Sequence, residues 1–298
     1  MDLAKALFSP RAVALVGASG DAAKTTARPQ RYLKKHGYGG KVFPVNPTRD
    51  EVLGEKAYRR VSEVPEAVDH AYILIENVEE ALEDCGRRGV AVASIFSGGF
   101  ADAGAQGMQR QGRLVERARA LGVRLLGPNS MAVINVTERI ALSVNAVLEM
   151  DALPAGTTSI VSQSGTMLGT LLSRGAARGL GFDKLVSVGN EADIGVGELV
   201  ELLAEDPRTR VITLFLETVR DAERLAAAAR KAHAAGRRSW PTSSAARRSA
   251  RRPRARIPER SPAPTLPLTP FSATAASSVS TCSKPCWRSR PWLLQECL

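Results

Sequence analysis

Eight short apolar runs, separated by helix-like stretches and turns, constrain this chain more than any other feature. Residues 12–16, 41–45, 70–75, 90–96 and 123–126 have the length and apolar density of buried strands. Helical patterns fill the intervals, one ending near Gly37 and others covering 78–88 and 108–120. Strands alternating with helices at this spacing predict a parallel, doubly wound α/β sheet. The runs end in Gly17-Ala18-Ser19-Gly20, Asn46-Pro47, Ser97-Gly98-Gly99 and Gly127-Pro128-Asn129-Ser130. In such a sheet these turns share one edge, the edge where open α/β sheets bind ligands.

A second α/β unit begins near Gly156. Residues 158–161 read as a strand, and Ser162-Gln163-Ser164-Gly165 opens a helix running to about Arg178. A strand at 184–188 ends in Gly189-Asn190, a helix covers 197–204, and a strand at 210–216 reaches Glu217. An Ala-rich helix at 221–235 follows, after which the rhythm asks for another strand. None is expected from the pattern. Residues 237–298 contain no Gly and no Asp but hold nine of the 17 prolines, and show neither helix nor strand period. The chain therefore divides into residues 1–135, an incomplete unit at 150–236, and an irregular, disordered tail at 237–298.

The formal charge of +11 belongs to that tail, which holds 12 of the 41 Lys and Arg and 2 of the 30 Asp and Glu. The body is close to neutral, so a nucleic-acid partner is not expected; a basic linker is the plain reading of the tail. The tail also reads in a neighbouring frame. Let each new codon take its last two bases from the first two of a present residue. Residues 239–245 can then encode Val-Val-Ala-Tyr-Lys-Leu-Gly, the apolar strand the rhythm asks for. Its alanine is forced, because Trp240 has a single codon. Residues 255–261 permit Ser/Ala-His-Thr-Gly-Ala-Leu, and a frameshift is the preferred account of the tail.

No apolar run is long enough to span a membrane, and the N-terminus lacks a signal-peptide core, so the cytoplasm is the expected location. The four cysteines suggest neither a disulfide framework nor a metal site.

Two segments carry candidate chemistry. Gly17-Ala18-Ser19-Gly20 follows a strand and precedes a helix, an arrangement suited to phosphate; it reads equally well as a tight turn. Ser162-Gln163-Ser164-Gly165 places hydroxyls and amides at a helix start, where the dipole favours anions, although an ordinary Ser N-cap has the same letters. Lys24 lies close to the first segment, and Glu217 marks a strand end.

Taken in order, these segments resemble the NDP-forming acyl-CoA synthetases, relatives of the succinyl-CoA ligase α subunit. The resemblance is carried by Leu7-Phe8-Ser9-Pro10-Arg11 with the strand and glycine turn that follow, and by Phe43-Pro44-Val45-Asn46-Pro47. It continues through Ser97-Gly98-Gly99-Phe100, Gly127-Pro128-Asn129-Ser130, Ser162-Gln163-Ser164-Gly165 and Ser187-Val188-Gly189-Asn190. It implies a Rossmann-like domain binding coenzyme A near Gly17, Ala18, Ser19, Gly20, Lys24, Asn46, Pro47, Ser97 and Gly98. It also implies an incomplete flavodoxin-like domain. There Asn129, Ser162, Gln163, Ser164 and Gly165 would hold phosphate carried on a histidine, and Glu217 would orient that imidazole.

By the same resemblance, ATP and Mg would enter through an ATP-grasp domain or subunit missing from this chain. Two departures stand out. Glu76-Asn77 replaces a Pro-Ala-like turn, and the histidine segment falls in the shifted frame, across Arg256 and Ile257. The expectation is a CoA-binding ligase portion, inactive alone. The alternative is a CoA-binding regulatory module or the ligase-like portion of a protein acetyltransferase. A nicotinamide enzyme is disfavoured, since the full glycine fingerprint and its ribose-binding acid are missing.

Overall fold

The computed structural model describes residues 2–243, with side chains as far as Arg238. Helix α1 (Leu3–Phe8) is capped by Asp2, whose carboxylate accepts from the Ala4 amide at 3.0 Å. The chain then enters β1 (Ala12–Val16), buried along its whole length as a central parallel strand must be. There follow α2 (Arg28–Lys35), β2 (Lys41–Val45), a small hairpin of β3 (Glu51–Val52) and β4 (Glu55–Lys56), and β5 (His70–Ile73). Next come α3 (Val78–Arg88), β6 (Val92–Ile95), α4 (Ala105–Leu121) and β7 (Arg124–Leu126). Left-handed Gly89 and Gly122 stop α3 and α4, where a side chain would be strained.

These strands form one sheet in the order β2-β1-β5-β6-β7, every pair parallel. The order reverses between β1 and β5, so a crevice opens beyond their C-terminal ends. Gly17 sits in that crevice with a φ of 89°, and a Cβ there would fall inside the Ile75 side chain.

The second sheet is built from β8 (Val133–Asn135), β9 (Ile140–Leu142), β10 (Ala155–Ser162), β11 (Phe182–Ser187), β12 (Val211–Leu216) and β13 (Arg238–Ser243). Helices α5 (Gly165–Ala176), α6 (Val196–Glu205) and α7 (Ala222–Ala234) connect its parallel strands. The order is β13-β12-β10-β11-β8-β9, with β8 antiparallel to β11. Here the reversal lies at β10, which pairs with β11 on one side and β12 on the other. The β8–β9 hairpin was not anticipated, because three-residue strands are too short to show a period.

β13 corrects an expectation. Arg238–Ser243 pairs in parallel with β12, from Val211 opposite Arg238 to Leu216 opposite Ser243. The turn out of α7 is closed by the Arg237 amide on Ala232 O at 2.8 Å, and the Arg238 amide reaches Arg210 O at 3.0 Å. Parallel pairing uses backbone groups that any residue but proline supplies, so the absence of an apolar period did not prevent a strand. Pro241 is tolerated because β13 is an edge strand among the described residues. The frameshift reading and the expectation of a disordered tail fall mainly beyond residue 243, outside the described residues.

Side chains from both sheets meet around α1. Leu7 and Phe8 pack in one cluster with Val92 and Leu126 of the first sheet and Val133, Val186 and Leu199 of the second unit. Burying each large apolar side chain contributes about 1.5–3 kcal/mol. Arg124 adds a polar tie, donating to Asp193 at 2.8 Å and bidentately to Glu198 on α6 at 3.0 and 2.9 Å. A fork of this kind fixes orientation as well as distance.

His70 is fully buried at the start of β5, bonded to Ala6 O at 3.1 Å and to the Ser94 hydroxyl at 2.7 Å. A neutral ring satisfies both partners, with Nδ1 donating to the carbonyl and Nε2 accepting from the hydroxyl. Burial pushes its pKa down to about 4, against smaller opposing contributions from Ala6 O and Asp69. The unfolded chain therefore binds the proton more readily, and stability should fall as pH drops from about 6.5 towards 4. Urea unfolding across that range should show the loss, and His70→Gln should flatten it.

Candidate functional site

The crevice at the first sheet is held open by its own loops. Beyond β1, the Gly17 amide donates to Val45 O at 2.8 Å, and Asn46 Nδ2 donates to Ala18 O at 2.9 Å. Asn46 Oδ1 accepts from the amides of Thr48 and Arg49, at 3.0 and 3.2 Å. Asn46 and Ala18 thus shape the loop from beneath. Pro47 and Lys24 are exposed on it, and Ser19 accepts from the Asp21 amide at 3.1 Å.

The helix after this loop starts later than expected. A 3-10 turn at Thr25–Ala27 precedes α2, so Gly17–Gly20 is not itself a helix N-terminus. What the loop gains instead is Arg49, whose guanidinium lies 3.1 Å from where a Gly20 Cβ would stand. A cation laid over a glycine turn suits a diphosphate. Arg49 is a residue the sequence reading missed; an arginine four residues beyond a strand end carries no local signal.

Ser97 and Gly98 belong to a loop that closes on Asp102. The amides of Gly99 and Phe100 donate to its carboxylate at 3.0 and 3.1 Å, and Asn190 Nδ2 adds a third bond at 2.7 Å. Burial would raise the Asp102 carboxyl, but these bonds outweigh it and hold it below the usual carboxylate range. Those amides are therefore committed. The Ser97 hydroxyl donates to Ile75 O at 2.6 Å, and Ser97 O accepts from the Asn129 amide at 3.0 Å. Gly17, Ile75, Ser97 and Asn129 form one continuous line from the first crevice to the second.

At the end of that line lies a cavity of about 230 Å³. It is lined by Phe96, Asn129, Ser130, Met131, Gln163, Ser164, Gly165, Thr166 and Glu217. Ser164 caps α5, its hydroxyl accepting from the Met167 amide at 3.4 Å. The amides of Gly165 and Thr166 open the helix, where no intrahelical carbonyl reaches them, and the dipole adds positive potential. Ser162 is buried and bonded to Ser164 through both its hydroxyl and that residue's amide, at 2.7 and 3.1 Å.

Gln163 has a different part from the one expected. Its Oε1 accepts from the amides of Glu217 and Thr218 at 2.7 and 3.0 Å. Its Nε2 donates to Thr218 O and to Glu191 Oε2, both at 2.8 Å. All four hydrogen-bonding places of the carboxamide are filled, so none remains for phosphate. Gln163 instead buckles the Glu217 loop to the α5 start. Glu191 is itself anchored by the Val196 amide at 2.7 Å, at the head of α6. The exposed Glu217 carboxylate completes the rim.

The arrangement is thus a helix-start cradle of amides and hydroxyls, rimmed by the Glu217 carboxylate and joined by that line to a glycine-and-arginine loop. Residues 11–136 match the CoA binding domain, and residues 155–238 match the succinyl-CoA ligase like flavodoxin domain. The chain belongs to the NDP-forming acyl-CoA synthetase family. A trans-feruloyl-CoA synthase from an unidentified prokaryote is 38% identical over 78% of this chain and 33% of its own length. The α subunit of Pyrococcus furiosus acetate–CoA ligase (ADP-forming) II is 34% identical over 75% of this chain and 48% of its own. The solved dinucleotide-forming acetyl-coenzyme A synthetase 1 of Candidatus Korarchaeum cryptofilum, in its apo form, superposes with a TM-score of 0.77 at 31% identity. It covers 84% of this chain and 55% of that one. The chain therefore spans a third to about half of the length of these two curated relatives.

Breaking the buckle should be measurable. Gln163→Glu sets a carboxylate against Glu191 and Thr218 O, and should cost about 2–4 kcal/mol of stability. Adding Glu191→Gln should restore part of that loss. Gln163→Leu, which removes the oxygen that the Glu217 and Thr218 amides donate to, should raise hydrogen exchange at both at least tenfold.

Proposed function

We propose that this chain is the CoA-binding and phosphate-cradling portion of an ADP-forming acyl-CoA synthetase. The whole enzyme would convert acid, CoA and ATP to acyl-CoA, ADP and phosphate. The observation that carries this reading is the continuous line from Gly17 through Ile75 and Ser97 to Asn129, which joins the two crevices. A CoA diphosphate would rest on Gly17–Gly20 under Arg49. The glycines fit that part, since a side chain at Gly17 would collide with Ile75 and one at Gly20 would crowd Arg49. CoA supplies the thiol, and the cradle residues would fix a phosphoryl group and its charge beside it.

Alone, the chain should not turn over. Its three histidines do not reach the cradle: His70 is buried at the opposite end of β5, His36 bonds Leu148 O, and His233 lies on α7. The shifted frame would supply the missing histidine, and the family match stops at residue 238, where that frame would begin. Glu217 would orient the imidazole once it is present. ATP and Mg would come from an ATP-grasp domain or subunit. One relative, about half of whose length this chain spans, is itself a subunit α by name, which favours a partner chain. Among the described residues no helix is long and apolar enough to cross a membrane, consistent with work in the cytoplasm. A cradle without its histidine also favours a second reading, a CoA-binding regulatory module. Ligase activity on adding an ATP-grasp partner would sink that second reading.

Three outcomes check the proposal. Arg49→Ala should weaken CoA binding by about tenfold, roughly 1.4 kcal/mol, in a calorimetric titration. The chain incubated with radiolabelled ATP should gain no acid-labile phosphate, with or without an ATP-grasp partner. Resequencing the gene across codons 234–240 should reveal a one-nucleotide difference that restores the neighbouring frame.

A further inference from the structure

A second, larger groove leaves the cradle and runs down α5. Its volume is about 720 Å³, and it shares Phe96, Met131 and Thr166 with the cradle. One wall is apolar, made of Phe96, Met131, Val144 and Val147. The other is a face of α5 on which Thr166, Thr170 and Ser173 recur at helical spacing.

The apolar wall is pinned against the helix. Asn145 Nδ2 donates to Gly165 O at 2.9 Å and lies 3.4 Å from Met131 Sδ. A Cβ on Gly165 would meet Met131 Cγ at 2.6 Å, and one on Gly169 would meet Asn145 Oδ1 at 2.5 Å. The two glycines, one turn apart, are what allow this close approach. Arg28 ties α2 to the same wall through Val144 O at 3.2 Å, and Arg174 stands on the far side of the groove. Among the described residues no Asp or Glu lines it.

We propose that this groove receives the acyl group of the thioester, and that it is cut for an aromatic acyl group rather than acetyl. The inference rests on the CoA-binding reading above. With the diphosphate at Gly17–Gly20, the thiol is the end that reaches the cradle, so the space continuing beyond it belongs to the acyl chain. An acetyl group ends inside the cradle and leaves the groove to water. A planar ring laid along the apolar wall and the threonine face would gain by displacing that water. The hydroxyls of Thr166 and Ser173 offer partners to ring substituents, while that of Thr170 donates to Thr166 O at 3.1 Å and offers only its acceptor side.

The test is calorimetry on the full chain with CoA, acetyl-CoA and benzoyl-CoA. Benzoyl-CoA should bind at least tenfold more tightly than acetyl-CoA. Thr170→Phe should abolish that gain while leaving CoA and acetyl-CoA within twofold of the unchanged chain. Ser173→Phe, on a more exposed turn, repeats the test should Thr170→Phe fail to fold. If CoA binds but benzoyl-CoA gains nothing, or the gain survives the folded variants, the groove is not an acyl site. If CoA itself does not bind, the CoA-binding reading fails and this inference falls with it.

Discussion

One carboxamide holds the candidate site in shape. Gln163 bonds the Glu217 loop on one side and Glu191 on the other, with every donor and acceptor place occupied. The start of α5, the end of β12 and the head of α6 are therefore fixed relative to each other by a single side chain. A saturated group of this kind rigidifies its surroundings, and losing one partner strands the others. The cradle is thus preorganised without a ligand. That suits a site meant to stabilise a phosphoryl charge, because reorientation during the reaction would cost part of the stabilisation.

The cradle depends in turn on how the two sheets are joined. The loop after β11 runs beside the end of β7, with the Asn190 amide on Pro128 O at 2.8 Å and the Ala192 amide on Gly127 O at 3.0 Å. Asn190 also reaches Asp102, and Arg124 reaches across to α6. Gly189 has room for no side chain there, since a Cβ would fall on the carbonyls of Pro128 and Asn129. The strand ends that face the two crevices are stitched together by backbone bonds. The resulting crevice is continuous from one sheet to the other, as a substrate long enough to reach both requires.

Much of this was legible in the letters. The helix over 78–88 was predicted to the residue, because an N-terminal pair of acids, a C-terminal pair of arginines and a following glycine mark both ends. The clustering of Gly, Ser and Asn at strand ends located both crevices. Besides the short β8–β9 hairpin, three things were hidden. Arg49 reaches Gly20 only through the fold, and Gln163 reads like a ligand until its neighbours are seen to use it up. β13 is the third: its residues lack a strand pattern, yet the open edge of β12 and the length of α7 place them in register. In each case the missing information was tertiary, a partner distant in sequence.

The central claim is that the two crevices form one CoA-spanning site. A crystal structure of this chain with bound CoA tests it most directly. The account predicts the diphosphate on Gly17–Gly20 beneath Arg49, and the thiol end at the cradle between Asn129 and Gly165. CoA lying with its thiol directed away from α5, or bound on another face with the Gly17 loop empty, would contradict it.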